Sequence, residues 1–284
     1  MNHKNKALLN IAIRASIEAG NEILKIYHQN DFGIQKKLDD SPITLADKNA
    51  NAVINTYLQA TQIPIISEEN KIMDYETRKQ WNRCWVVDPL DGTKEFIKRN
   101  GEFTVNIALV ENNLPIMGVI YVPVSGDLYF GLTSEKKAYK INTVTFSEDL
   151  LGKAEELNGA VGASTVKKVI GSRSHFSSAT KKYIEEIRQS GEEVVFVSVG
   201  SSLKFCFLAE GKASIYPRFS PTMEWDTCAG DAICSAAGLK VIDAETKKRL
   251  VYNKKELVNP SFIVKGNSFP FSSTALSSIP QAID

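Results

Sequence analysis

Trp85-Val86-Val87-Asp88-Pro89-Leu90-Asp91-Gly92-Thr93-Lys94-Glu95-Phe96 carries a strand-like apolar run straight into two carboxylates. Pro89 fixes its own φ and holds Asp88 extended, and Gly92 supplies a backbone free to turn sharply. Asp88, Asp91 and the Leu90 carbonyl are therefore expected to converge on one point. Hard divalent cations take such oxygen ligands, and Mg²⁺ is the usual occupant when a phosphate completes the shell. Read alone, Asp-Pro-Leu-Asp-Gly is equally an ordinary β-turn, because turns use the same residues.

Upstream, residues 7 to 28 place Leu8, Ile11, Ala15, Ala19, Ile23 and Ile26 at three- and four-residue steps, which predicts an amphipathic helix. A second helix is expected from Thr44 to Leu58, after the break at Asp39-Asp40-Ser41-Pro42. Thr44 and Asp47 at its start have the spacing of a capping box, with Thr44 as N-cap. Ile63-Pro64-Ile65-Ile66-Ser67-Glu68-Glu69 reads as a short buried strand ending in paired acids. Such a pair is often no more than a solvated strand end.

Downstream, Phe103, Val105, Ile107 and Leu109 alternate as in a strand, Asn112-Asn113 marks a turn, and Met117 to Val122 returns. Ser125-Gly126-Asp127 makes another hairpin before Leu128-Tyr129-Phe130. The pattern predicts an antiparallel meander with the first two helices on one face. The polar stretch from Ser147 to Ser164 is the expected boundary between two halves, 1–150 and 151–284.

Beyond it, strands and helices alternate. Strands are expected at Val166–Ile170, Val194–Val199 and Ala213–Tyr216, with helices at Ser177–Ser190 and Ser201–Glu210. Glu224-Trp225-Asp226-Thr227-Cys228-Ala229-Gly230 opens a further helix, where Asp226 by itself reads as an N-cap. Gly171-Ser172-Arg173-Ser174-His175 and Gly200-Ser201-Ser202-Leu203-Lys204 follow strands and offer hydroxyls, amides and cations. Arg218 lies in a third such stretch, and each of the three could equally be a solvated turn.

The 284 residues are 43% hydrophobic and 24% charged, as in ordinary soluble proteins, and 34 basic residues against 33 acidic leave a formal charge of +1. Global charge thus gives no sign of nucleic-acid or membrane-surface binding, so anion recognition must be local. No apolar run approaches the roughly 20 residues of a membrane span, and the first residues do not read as a signal peptide. Cys84, Cys206, Cys228 and Cys234 show neither Cys-x-x-Cys spacing nor a disulfide pattern, which suits buried, reduced thiols. With only three histidines (His3, His28 and His175), a histidine zinc site or histidine triad is hard to assemble. No phosphate-binding loop of an NTPase and no dinucleotide fingerprint is present.

Asp-Pro-Leu-Asp-Gly-Thr-Lys-Glu-Phe resembles the metal-loop signature of the lithium-sensitive, magnesium-dependent inositol monophosphatase superfamily. Its Thr-Lys-Glu-Phe ending, with Ser-Arg-Ser-His downstream, is similar to the 3′(2′),5′-bisphosphate nucleotidase branch. The Trp-Asp-x-x-Ala-Gly string at 225–230 resembles the superfamily's second motif, in the expected order.

This resemblance implies an α/β/α/β/α layered sandwich with the active site between the halves. It implies that Glu68, Asp88, the Leu90 carbonyl, Asp91 and Asp226 hold two or three Mg²⁺ ions, for which Mn²⁺ can substitute. Glu68 would bridge the metals, with Ser67 standing where a glycine is common. Asp47 and Thr93 would activate the attacking water. Glu68, Leu90, Asp91, Gly92, Thr93 and Asp226 would face the scissile phosphate, and Ser172, His175, Gly200, Lys204 and Arg218 the rest of a nucleotide.

The implied reaction is hydrolysis of 3′-phosphoadenosine 5′-phosphate to AMP and phosphate, with the sulfate-activated nucleotide as a second substrate. The alternatives are an inositol monophosphatase, a fructose 1,6-bisphosphatase, or a catalytically silent nucleotide or metal sensor. A cytoplasmic enzyme is expected, with peripheral attachment to the cytoplasmic face of the inner membrane as a further implication of the resemblance; oligomeric state is left open.

Overall fold

The structure, a computed structural model, describes residues 3–29, 32–33, 35–36, 42–159, 166–172 and 177–266. The chain begins with helix α1 (His3–Tyr27), a two-stranded sheet of β1 (Gln35–Lys36) and β2 (Pro42–Ile43), and helix α2 (Leu45–Gln59). Next come β3 (Ile65–Ser67), α3 (Tyr75–Arg78), β4 (Arg83–Asp91) and α4 (Thr93–Ile97). The meander follows as β5 (Thr104–Glu111), β6 (Leu114–Val122), β7 (Asp127–Leu132) and β8 (Lys137–Asn142). Helix α5 (Leu150–Lys153) and β9 (Glu155–Leu157) close this part.

The remainder runs β10 (Val166–Gly171), α6 (Ser178–Gln189), β11 (Glu193–Ser198), α7 (Leu203–Ala209), β12 (Ile215–Arg218), α8 (Glu224–Ala236), β13 (Lys240–Asp243) and β14 (Phe262–Lys265). Strands β3 to β9 form one sheet in sequence order, antiparallel except for the parallel β3–β4 pair. The second sheet has the order β11-β10-β12-β14-β13.

Alternation along the strands sorts side chains between layers. On β4 and β5, Trp85, Val87, Val105, Ile107 and Leu109 point toward α1 and α2. Cys84, Val86, Ala108 and Val110 point the other way, into a core shared with α7 and α8. The second sheet repeats the division. Ile170, Tyr216, Phe262 and Val264 face that central core, and Val169, Ile215 and Ile263 pack with Tyr183, Ile184 and Ile187 of α6. The layers are therefore α1/α2, large sheet, α7/α8, small sheet and α6: the sandwich expected from the sequence.

Helix α8 sits unusually close to the large sheet. A Cβ on Gly118 would come within 2.3 Å of the Ala229 carbonyl oxygen, so only glycine admits the helix at this height.

Two expectations need correction. The large sheet does not end near residue 150, since β9 still pairs with β8 through Leu157. Its three residues are too few for a period-two signal inside a polar stretch. The second half is also not purely alternating, because β13 and β14 add antiparallel strands after α8. All four cysteines are buried and free, and burial pushes the Cys84 thiol up to about 12.

Candidate active site

Strand β4 delivers both aspartates of the metal loop from within the sheet. Asp88 pairs with Asn106 and Asp91 with Thr104 across β4–β5, with a register shift between them that accommodates Pro89 and Leu90. Asp88 is buried, and its Oδ1 accepts the Leu90 N–H at 3.0 Å. Gly92 then turns the chain into α4 at φ 94°, a left-handed conformation that costs glycine little. A Cβ there would also crowd the Glu102 carbonyl oxygen at 3.2 Å and Ser201 Cβ at 3.3 Å.

The capping box at the start of α2 forms as the spacing predicts. Asp47 Oδ2 accepts the Thr44 N–H at 2.7 Å and the Thr44 hydroxyl at 2.6 Å. Asp47 Oδ1 accepts the Thr93 hydroxyl at 3.3 Å, and Thr93 Oγ1 also lies 3.5 Å from the Leu90 carbonyl oxygen. One carboxylate thus caps a helix with one oxygen and holds a hydroxyl in the cleft with the other.

Asp226 is not the N-cap its sequence context suggests. Met223 occupies that position, and Asp226, on the first turn, accepts the Met223 N–H at 2.9 Å. Glu68 follows β3, with its N–H donating to Val87 O at 3.2 Å. Its loop is tied to α2 by side chains: Ser67 Oγ donates to Asn51 Oδ1 at 2.8 Å, and the amides of Asn51 and Asn55 donate to Asn70 Oδ1 at 2.9 and 3.0 Å. Ser67 therefore has a definite partner where a glycine would have none.

Burial and mutual repulsion govern the charges. The Asp88 carboxyl is pushed well above the usual range, first by burial, then by Glu68, Asp91, Asp226 and Asp47. Burial likewise raises Asp226, with Asp91 the next cause. Burial raises Asp91 too, opposed by Lys204, the Asn106 side chain and the Ser202 N–H. Lys204 is pushed down to about 8 by burial, against the pull of Asp91.

Carboxylates gathered at the floor of a cleft, Asp88 and Asp47 buried and Glu68, Asp91 and Asp226 partly exposed, fit a hard divalent cation by their donor chemistry. Among the described residues, no three acidic, histidine or cysteine side chains form a ready-made ligand group. Like charges at this spacing spread apart, and Asp88, Asp91 and Asp226 each turn onto a protein donor.

Above these groups opens a cleft of about 230 Å³. Its lining takes Glu68, Asp91, Gly92, Thr93, Lys94 and Glu95 from the earlier part of the chain and Ser172, Ser201, Lys204, Tyr216, Arg218 and Asp226 from the later part. Asp88, Leu90 and Asp47 are buried. Arg218 is half-buried, its Nε donating to Ser220 O at 3.2 Å. Lys204 Nζ donates to the Ser201 carbonyl and stands 5.6 Å from the centre of the Tyr216 ring.

The Gly200 amide is not offered to the cleft as expected, because it donates to Glu102 Oε2 at 2.9 Å. His175 lies outside the described residues. Glu95 and Tyr216 line the cleft although sequence reasoning gave them no role. Their only sequence signal is membership of the strings that carry Thr93 and Arg218.

A sequence model of the inositol monophosphatase family matches residues 4–269. The chain belongs to the inositol monophosphatase family. Relatives within this metal-dependent family include the Shigella flexneri 3′(2′),5′-bisphosphate nucleotidase CysQ, 43% identical over 87% of this chain and 94% of its own length. The crystal structure of CysQ from Bacteroides thetaiotaomicron, described as a bacterial member of the family, matches with a TM-score of 0.85 at 45% identity. It covers 94% of this chain and 99% of its own. A Thermotoga maritima IMPase shares the fold at 20% identity and a TM-score of 0.70, over 91% of this chain and 92% of its own. Among the described residues, no helix is long and apolar enough to cross a membrane.

Proposed function

We propose that this chain is a Mg²⁺-dependent 3′(2′),5′-bisphosphate nucleotidase that converts 3′-phosphoadenosine 5′-phosphate and water to AMP and phosphate. The sulfate-activated nucleotide is its second substrate. The carrying observation is the 43% identity to a nucleotidase along 94% of that enzyme's length. The cleft supports it, because Lys204 and Arg218 line it together with Glu68, Asp91 and Asp226. Cations beside a carboxylate cluster suit a substrate that carries more than one phosphate.

On this reading, residues 1–150 supply Glu68, Asp88, the Leu90 carbonyl and Asp91 to two or three Mg²⁺ ions, and residues 151–284 supply Asp226. Mn²⁺ can replace Mg²⁺. Bound there, the cations supply Lewis acidity toward the phosphate and make a water more acidic. Asp47 fixes Thr93, and Thr93 orients the attacking water and passes its proton toward Asp47. Ser172, His175, Lys204 and Arg218 hold the 5′-phosphate and nucleoside. The oxygen of water ends on phosphate and the 3′-oxygen leaves as the hydroxyl of AMP, without a phosphoenzyme.

Phosphate release from 3′-phosphoadenosine 5′-phosphate, the sulfate-activated nucleotide, inositol 1-phosphate and fructose 1,6-bisphosphate tests the reading directly. The bisphosphate nucleotide should show the highest kcat/KM. A preference for inositol 1-phosphate would overturn it.

A further inference from the structure

Across from the metal loop, the inner face of β5 carries two polar side chains where its neighbours Ala108 and Val110 are apolar. Thr104 and Asn106 are buried, as is Ser202 just before α7. Their contacts close a triangle. Thr104 Oγ1 and Ser202 Oγ lie 2.7 Å apart; Asn106 Oδ1 lies 2.7 Å from Ser202 Oγ and 3.0 Å from Thr104 Oγ1. The amide nitrogen of Asn106 faces Asp91 Oδ2 at 3.4 Å.

Proton counting settles how the triangle is ordered. Each hydroxyl has one proton to donate. The Thr104–Ser202 contact uses one, and the other goes to Asn106 Oδ1. Either direction around the pair ends with Oδ1 as acceptor, so Nδ2 must point at Asp91. The reversed amide would set an oxygen against the Asp91 carboxylate and leave a hydroxyl proton unplaced, an expensive fault in a buried network.

The loop before α7 is shaped to bring Ser202 there. Ser201 adopts φ 44°, and the Gly200 N–H is held by Glu102. Asp91 therefore meets an amide from β5 at 3.4 Å while Lys204 supplies the opposing charge. The amide cannot ionise, so it orients the carboxylate without neutralising it.

We infer that Asn106 is a positioning residue for the Asp91 carboxylate, oriented by the paired hydroxyls of Thr104 and Ser202, and that Ser202 serves the cation site rather than the substrate's remote phosphate. This rests on the proposed function only in treating Asp91 as a cation ligand. Either hydroxyl alone can still donate to Asn106 Oδ1, so it takes the loss of both to free the amide to turn and deprive Asp91 of its fixed orientation. Partners behind a metal ligand commonly contribute 10- to 100-fold to metal affinity or activity.

The test is calorimetric titration of Mg²⁺ and Mn²⁺ into the purified chain, with Thr104→Val, Ser202→Ala, their double variant and Thr104→Ser. Each of the first two leaves one hydroxyl to donate to Asn106 Oδ1 and should change cation affinity little. The double variant should weaken it by about tenfold, well beyond the sum of the two, because either hydroxyl suffices to orient the amide. Thr104→Ser, which keeps the hydroxyl, should bind like the wild type. At saturating Mg²⁺ the KM for 3′-phosphoadenosine 5′-phosphate should stay within about twofold.

Melting curves recorded with chelator identify any variant that fails to fold, and Thr104→Val and Ser202→Ala probe the same amide from opposite halves. Unchanged cation affinity in the double variant overturns the inference, as does unchanged affinity with a raised KM. Calorimetry needs no substrate, so failure of the nucleotidase reading would show in the phosphate assay alone.

Discussion

Thr93 Oγ1 donates to Asp47 Oδ1 at 3.3 Å, while the other Asp47 oxygen is held by Thr44 at the head of α2. One residue thereby serves a helix and a reactive hydroxyl at once. Asp47→Asn separates these duties, because asparagine can still accept from the Thr44 N–H but is a far weaker base. We expect kcat to fall by about 10²–10⁴-fold, the range for a positioned proton transfer. Stability should change by about 1 kcal/mol or less. Steady-state kinetics beside a thermal melt reads both, and an unchanged kcat would leave Asp47 with the helix alone.

Metal should be felt in the melt as well as in turnover. Asp88 and Asp226 are raised by burial and by each other's neighbours, so a bound cation relieves a repulsion built into the fold. At 100 times its dissociation constant, a ligand specific to the folded state adds about 2.7 kcal/mol. For a chain of this size that is a rise of several degrees in Tm. Activity should vanish in excess EDTA and return with Mg²⁺ or Mn²⁺. Full activity in the chelator would remove the cation from the mechanism.

Arg218 should discriminate between substrates. It lines the cleft, half-buried and braced by Ser220 and Pro221 carbonyls, and its charge is felt at Asp226. Arg218→Ala is expected to lower kcat/KM for 3′-phosphoadenosine 5′-phosphate by ~10–100-fold, about 1.4–2.7 kcal/mol for one charge-assisted contact. Hydrolysis of inositol 1-phosphate, which lacks the second phosphate, should barely change. Equal losses on both substrates would place Arg218 at the scissile group instead.

A stability change with pH should come from Asp231, deep in α8 and away from the cleft. Burial raises its carboxyl to about 6, against the hydrogen bonds from Ser235 and Tyr252 and the charge of Arg249. Cys228 and Cys234 also face it and remain neutral thiols, pushed up by burial. A folded pKa above the unfolded value of 3.8 means the folded chain binds the extra proton between about 4 and 6. Its contribution is therefore complete below about 4 and is lost as pH rises through 6, on the order of 2–3 kcal/mol. Urea titrations at pH 4 and 7 should show Asp231→Asn gaining on the wild type at the higher pH. A constant difference between the two proteins would refute this.

The sequence was most legible where chemistry and local structure ask for the same residue. Thr44 and Asp47 are readable because a capping box has fixed spacing, and Gly92 because a left-handed turn narrows the choice. The layers came from the resemblance carried by the metal loop and the Trp-Asp string, since Cys84 to Val87 are apolar on both faces and show no alternation to read. Asn106 was invisible: a polar residue within an apolar strand signals something, but only the fold shows that Ser202, 96 positions later, completes its partners. The Gly200 amide was misjudged for the same reason, since Glu102 has to arrive from another layer to occupy it. Strand β14 pairs with β12 and β13 at a distance in sequence that no local period reports.

Gly118 lies on β6, outside the lining of the cleft, yet it sets the cleft's depth. The Ala229 carbonyl that a Cβ there would strike is one helical turn beyond Asp226. The height at which α8 rests, and so the reach of Asp226 toward Asp88 and Asp91, is gauged by a missing methyl group on the opposite layer. Adding that methyl would jack the helix off its seat and withdraw a ligand without altering a single residue of the active site. A search for inactivating substitutions should therefore look beneath the helix as carefully as around the cleft.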